Sequence, residues 1–74
     1  MMNDNETLDE YEKLILDKLK IGLTQVDVSN YLKKNHIEPY SLRSIEHRIN
    51  ALKKRFEAKT LISLIYILAK KDYI

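Results

Sequence analysis

No cysteine and no tryptophan occur in the 74 residues, and glycine and proline occur once each. Without cysteine there is no disulfide, no thiol nucleophile and no Cys-containing metal site. A lone glycine leaves no Gly-rich loop to cradle a phosphate, and His36 and His47 are the only histidines. With no carboxylates paired at useful spacing beside them, the residue set points away from an enzyme, a resident metal or a cofactor. Long apolar runs are missing too: the longest, around Leu61–Ala69, is broken by Ser63 and falls short of the roughly 18 residues a membrane span needs. The polar, acidic start MMNDNETLDEYEK is unlike a secretory or transit signal, so a cytoplasmic protein with no membrane partner is expected.

What is present is a short chain with unevenly placed charge. Its length predicts one domain near the lower size limit for folding alone, so association would help it. Net charge is +2, yet residues 1–17 set six acids against Lys13, a balance of −5. Residues 33–59 set eight bases against Glu38, Glu46 and Glu57, a balance of +5. A basic middle of this kind favours a polyanion on one face; charges that merely keep the protein soluble are the plainer alternative.

The apolar spacing predicts an all-α fold. Residues 1–7 show no periodic pattern and read as a flexible or weakly helical N-terminus; the domain proper is expected over 8–74. A first helix begins near Leu8, with Asp9 and Glu12 at capping-box spacing, Ile15, Leu16 and Leu19 facing inward, and Gly22 ending it. Thr24 opens a second helix, with Asp27 as capping partner and Val28, Tyr31 and Leu32 on its buried side. Thr24 and Gln25 at that N-terminus could also hold a phosphate. A connection over Lys33–Tyr40 follows, with Ile37 and Tyr40 expected to tuck against the core and His36 on the surface.

The stretch Ser41–Phe56 is the centre of the chain. Leu42, Ile45, Ile49, Leu52 and Phe56 recur at spacings of 3, 4, 3 and 4, one stripe of an amphipathic helix. Ser41 stands where an N-cap should, and Pro39 disfavours helix at Glu38. The opposite side carries Arg43, Glu46, His47, Asn50, Lys53, Lys54 and Arg55, side chains able to reach base edges or phosphates. A helix packed on one side and basic on the other suits a major groove; an ordinary solvated face is the competing reading. Thr60 then caps a last helix, LISLIYILAKK, whose Leu61, Leu64, Ile65 and Leu68 form one stripe while Ile62, Tyr66 and Ile67 point largely elsewhere. A second apolar side calls for a partner, most economically a second copy, otherwise a neighbouring domain.

Taken in order, these residues resemble the LuxR-type (GerE-like) helix-turn-helix domain, the DNA-binding output domain of many bacterial response regulators. Leu8-Asp9-x-x-Glu12 with Ile15-Leu16 is similar to the family's opening Leu-Thr-x-x-Glu and its apolar pair. Gly22-Leu23-Thr24-Gln25 with Val28-Ser29 and Leu32 is similar to its Gly-Leu-Ser-Asn, Ile-Ala and Leu. Ser41-x-x-Ser44-Ile45, continued by Ile49, Leu52 and Arg55, is similar to its recognition helix. The chain departs from the pattern in a longer turn before that helix, and in Glu46 and Arg48. The resemblance implies a compact four-helix helix-turn-helix domain binding double-stranded DNA for transcriptional regulation in a two-component system, with a receiver domain absent from this chain. It implies base contacts at Glu46, His47 and Asn50, phosphate contacts at Thr24, Gln25 and Arg55, and a homodimer contact on the fourth helix.

The residue chemistry extends these expectations. Arg43 and His47 can donate to guanine, Asn50 can pair with adenine, and Glu46 can accept from cytosine N4. Glu46 has a second option, an ion pair with Arg43 three residues earlier, which is the preferred reading. Lys33, Lys34, Lys53, Lys54 and Arg55 are expected to neutralise phosphates. Two rival functions stay open: promoter binding like that of region four of sigma factors, and a protein-interaction module whose basic helix meets an acidic partner.

Overall fold

Four short polar side chains set where the helices begin. In the computed structural model, which describes residues 7–74, Asp9, Thr24, Ser41 and Thr60 each accept a hydrogen bond from the backbone N–H three residues on. The helices they open are α1 (Glu10–Lys20), α2 (Gln25–Lys34), α3 (Leu42–Arg55) and α4 (Leu61–Lys70), and no strand occurs among the described residues. Two caps are reciprocal: Glu12 accepts from the Asp9 N–H at 3.0 Å, and Asp27 from the Thr24 N–H at 3.0 Å. Each such pair satisfies two donors that the first helical turn would otherwise leave without partners.

The helix ends repeat one device. After α1, Gly22 takes a φ of 108°; its N–H donates to the Leu19 carbonyl and the Leu23 N–H to that of Lys18. His36, Glu57 and Asp72 take the same place after α2, α3 and α4, with φ of 55°, 56° and 62°, and the paired donations recur at each. The residue that follows is apolar or aromatic every time, Leu23, Ile37, Ala58 or Tyr73, and packs against the core. This is the Schellman closure, which satisfies the last carbonyls and folds the exiting chain back over the helix. Only the first of the four is marked by glycine.

Nine buried side chains form the core: Ile15, Leu16, Val28, Leu32, Ile45, Ile49, Leu52, Leu64 and Leu68. Every helix contributes at least two, so none can leave without opening the others. α3 lies against both α2 and α4, and α1 against α2 and α4. The inward stripes are narrower than the apolar spacing suggested: Leu19, Tyr31 and Phe56 are half-buried, and Leu42 is exposed.

The connection from α2 to α3 corrects one expectation. Ile37 packs against the core, but Tyr40 is exposed. That segment is held by its backbone instead: the Tyr40 carbonyl accepts from the Ser29 hydroxyl at 2.6 Å, and the Pro39 carbonyl from the Tyr11 hydroxyl at 2.6 Å. The Glu38–Pro39 peptide is cis. The flexibility or weak helicity expected of residues 1–7 lies outside the described residues except at Thr7, whose carbonyl accepts from Arg55 at 2.9 Å.

Candidate nucleic-acid interface

A helix turns 100° per residue, so a fourteen-residue helix such as α3 offers several flanks that must each face something. Ile45, Ile49 and Leu52 face the core. Arg48 and Arg55, seven residues apart and therefore on one flank, reach back to the start of α1. Of the other side chains, Arg43, Glu46, His47, Asn50, Ala51 and Lys54 are exposed, and Lys53 is half-buried.

The α1 flank is an ion-pair cluster centred on Glu12, whose side chain is 5 % exposed. Arg48 Nη1 lies 3.2 Å from Glu12 Oε2 and 3.2 Å from Asp9 Oδ2. Arg55 Nη2 lies 3.0 Å from Glu12 Oε1. A buried carboxylate is tolerated only when such partners replace its lost hydration, and here two guanidiniums and the Asp9 N–H do so. Burial works against the Arg48 charge, but hydrogen bonding and charge from Glu12 and Asp9 outweigh it and hold the guanidinium pKa above its ordinary value. The Arg48 guanidinium also sits 5.3 Å from the centre of the Tyr11 ring, within cation–π range.

This cluster gives Arg55 partners within the fold. Its guanidinium donates to Glu12 and to the Thr7 carbonyl, which ties α3 to the start of α1. The role of Glu12 beyond capping was missed from sequence. Two arginines one heptad apart on α3 are the local hint, and they do not say which acid they meet.

The open flank gathers most of the remaining candidates. Arg43, Glu46, His47 and Asn50 line one shallow cleft together with Gln25 at the start of α2, Lys53, and Leu61 at the start of α4. His47 and Asn50 continue into a second depression with Ala51 and Lys54. On the other side, Arg43 and His47 share a recess with Pro39, Ser41 and Ser44. No hydrogen bond or ion pair joins Arg43, Glu46, His47, Asn50, Lys53 or Lys54 to another described residue. The ion pair expected between Glu46 and Arg43 is therefore not made.

At the N-terminus of α2, Thr24 is exposed and its hydroxyl oxygen caps the helix, accepting from the Asp27 N–H at 3.1 Å. Gln25 beside it lines the cleft. Lys33 and Lys34, also exposed, stand at the other end of α2, roughly 13 Å along its axis from Gln25, and line none of these recesses. They form a separate basic patch.

The candidate pairing residues of α4 divide as well. Ile62 is 82 % and Tyr66 63 % exposed, and one turn apart they border an apolar groove floored by Leu19, Leu23, Leu61 and Ile65. Ile67 is half-buried and does not line that groove, being five residues from Ile62 and so well around the helix. Among the described residues, no three His, Cys, Asp or Glu side chains are grouped to hold a metal ion, and no helix is long and apolar enough to cross a membrane.

Comparison with protein-family models, with curated proteins and with solved structures finds no match for this chain. The likeness to the LuxR-type domain thus stands on the residue pattern given above.

Proposed function

We propose that the chain is a sequence-specific double-stranded DNA-binding domain for transcriptional regulation, placing α3 in the major groove. The observation that carries this reading is the open flank of α3. Arg43, His47, Asn50 and Lys54 are exposed there and have no partner among the described residues. Polar side chains of several kinds along one free helix face present donors and acceptors to base edges, while Lys53 and Lys54 neutralise the sugar–phosphate rails beside them. Gln25 at the N-terminus of α2 lines the same cleft as α3, which supports a contact with a flanking phosphate.

The groove beside Ile62 and Tyr66 supports pairing of two copies through α4. Such a dimer would present two α3 helices to half-sites about one helical turn apart on a two-fold-related operator. In this reading the chain is LuxR-type and works in the cytoplasm, and an output role under a receiver domain fits it.

The test is a titration against mixed duplex DNA at rising salt, followed by selection of bound sites from random duplexes. A linear fall of log affinity with log salt, and a palindromic selected site, are expected. Asn50→Ala should then cost about 1–3 kcal/mol on that site and relax preference at one base pair. Equal loss on selected and random DNA would remove Asn50 from its role, and no binding to any duplex would overturn the reading.

A further inference from the structure

Glu46 is the only acid in α3, and it stands in the cleft with Arg43, Asn50 and Lys53. It is exposed, caps nothing, and makes no ion pair or hydrogen bond to another described residue. Arg43, one turn earlier, is equally free, so the carboxylate is not spent on orienting a guanidinium. Of the carboxylates that meet α3, Glu12 and Asp9 hold Arg48 and Arg55; Asp27 caps α2, while Glu38 and Glu57 lie in the joints outside the cleft.

A free carboxylate on a face meant for a polyanion weakens attraction to every phosphate, whatever the sequence. It gains only where it can accept a hydrogen bond, and the donors in a major groove are the amino groups of cytosine and adenine. These are not equivalent. The adenine amino group lies between its own N7 and the O4 of the paired thymine, both acceptors that repel a carboxylate. The cytosine amino group has the guanine O6 on one side only, with a C–H on the other. Guanine and thymine offer acceptors alone on this edge.

We infer that Glu46 is a specificity-determining residue that accepts from the N4 amino group of a cytosine, so that each half-site carries a C·G pair opposite it. This rests on the DNA-binding reading above. Glu46 would thus act by rejecting the other three orientations of a base pair while adding little to total affinity.

The test is selection of bound sites from random duplexes with the full chain, Glu46→Gln and Glu46→Ala in parallel. The side chain is exposed and unpartnered, so both variants keep the fold. The wild type should select a C·G pair at one position of each half-site. Glu46→Gln should select adenine there, since its amide matches the N6 donor and N7 acceptor. Glu46→Ala should show no preference at that position and bind random duplex more tightly. Replacing the C·G pair should weaken the wild type about 5- to 150-fold and leave Glu46→Ala unchanged. Identical sites for all three proteins, or any pair other than C·G at the position the variants lose, would overturn the cytosine contact and leave DNA reading intact. Failure of the wild type to enrich any site would overturn both.

Discussion

Three non-glycine residues among those described hold a backbone conformation that side chains disfavour. His36, Glu57 and Asp72 sit at positive φ, where a Cβ crowds the following carbonyl at a cost of about 1–2 kcal/mol. Asp and His tolerate the region better than most residues, but Glu has no such allowance. Glu57→Gly should therefore raise stability by about 0.5–1 kcal/mol, after allowing for the greater freedom glycine adds to the unfolded chain. Gly22→Ala should lower it by about 1–2 kcal/mol. Nothing lies within 4 Å of a Cβ built at Gly22, so that loss is one of conformation and not of collision. Urea midpoints of the two variants check this; a destabilised Glu57→Gly would show that Glu57 makes a contribution its conformation conceals. Tyr11 carries a pH dependence. Burial, with Asp9 adding to it and Arg48 opposing it, raises the Tyr11 pKa above its usual value of 10.0. The folded state favours the protonated phenol, which donates to the Pro39 carbonyl. This contribution is complete below pH 10 and is lost as pH rises through the folded-state value. Tyr11→Phe should cost about 1 kcal/mol near neutrality and narrow its gap from the wild type on going from pH 9 to 11. A gap that stays constant would remove the linkage.

At the scale of the element, α3 holds its cations in two settings. Lys54 is exposed and has no partner among the described residues, whereas Arg55, the next residue, is held on Glu12 and Thr7. Lys54→Ala should leave folding untouched and reduce the slope of log affinity against log salt by about 0.9, one phosphate contact. Arg55→Ala should leave that slope as it is. It should destabilise the fold by roughly 1–3 kcal/mol, because the nearly buried Glu12 loses one of two guanidiniums. A reduced slope for Arg55→Ala would return Arg55 to the DNA. Such a division was not legible from spacing, which places both on the polar side of one stripe. The caps at Asp9, Thr24, Ser41 and Thr60 and the buried residues Ile15, Val28, Leu32, Ile45 and Leu64 were legible, because both depend on neighbours within a turn or two. The Glu12 cluster joins residues 36 and 43 positions apart, and local pattern carries no record of that distance. Nor did it reveal three of the four helix closures, since Glu and His at positive φ look in sequence like ordinary surface residues. The freedom of Glu46 was hidden for the opposite reason: an i−3 arginine suggests a pair, and the rotamers decide otherwise.

Across the whole molecule, nine buried apolar side chains make up the core among the described residues, and a chain of this size buries only about 60 % of the surface its unfolded form exposes. Ile62 and Tyr66 meanwhile remain in water beside an apolar groove. If two copies cover that groove, stability and DNA binding both become functions of concentration, since the partner binds the folded state alone. Ile62→Glu with Tyr66→Glu adds charge where neither side chain supports the core, so the double variant should fold as the wild type does and sediment as a monomer at concentrations where the wild type is a dimer. Ile67→Glu, on a different flank of α4, should leave the dimer in place. The monomeric variant should still bind a single half-site through Arg43 and Asn50, with the affinity for a full palindrome falling towards that of one half. An unchanged mass for the double variant would take α4 out of the assembly, and a dimer lost in Ile67→Glu alone would move the contact to the opposite flank of the helix.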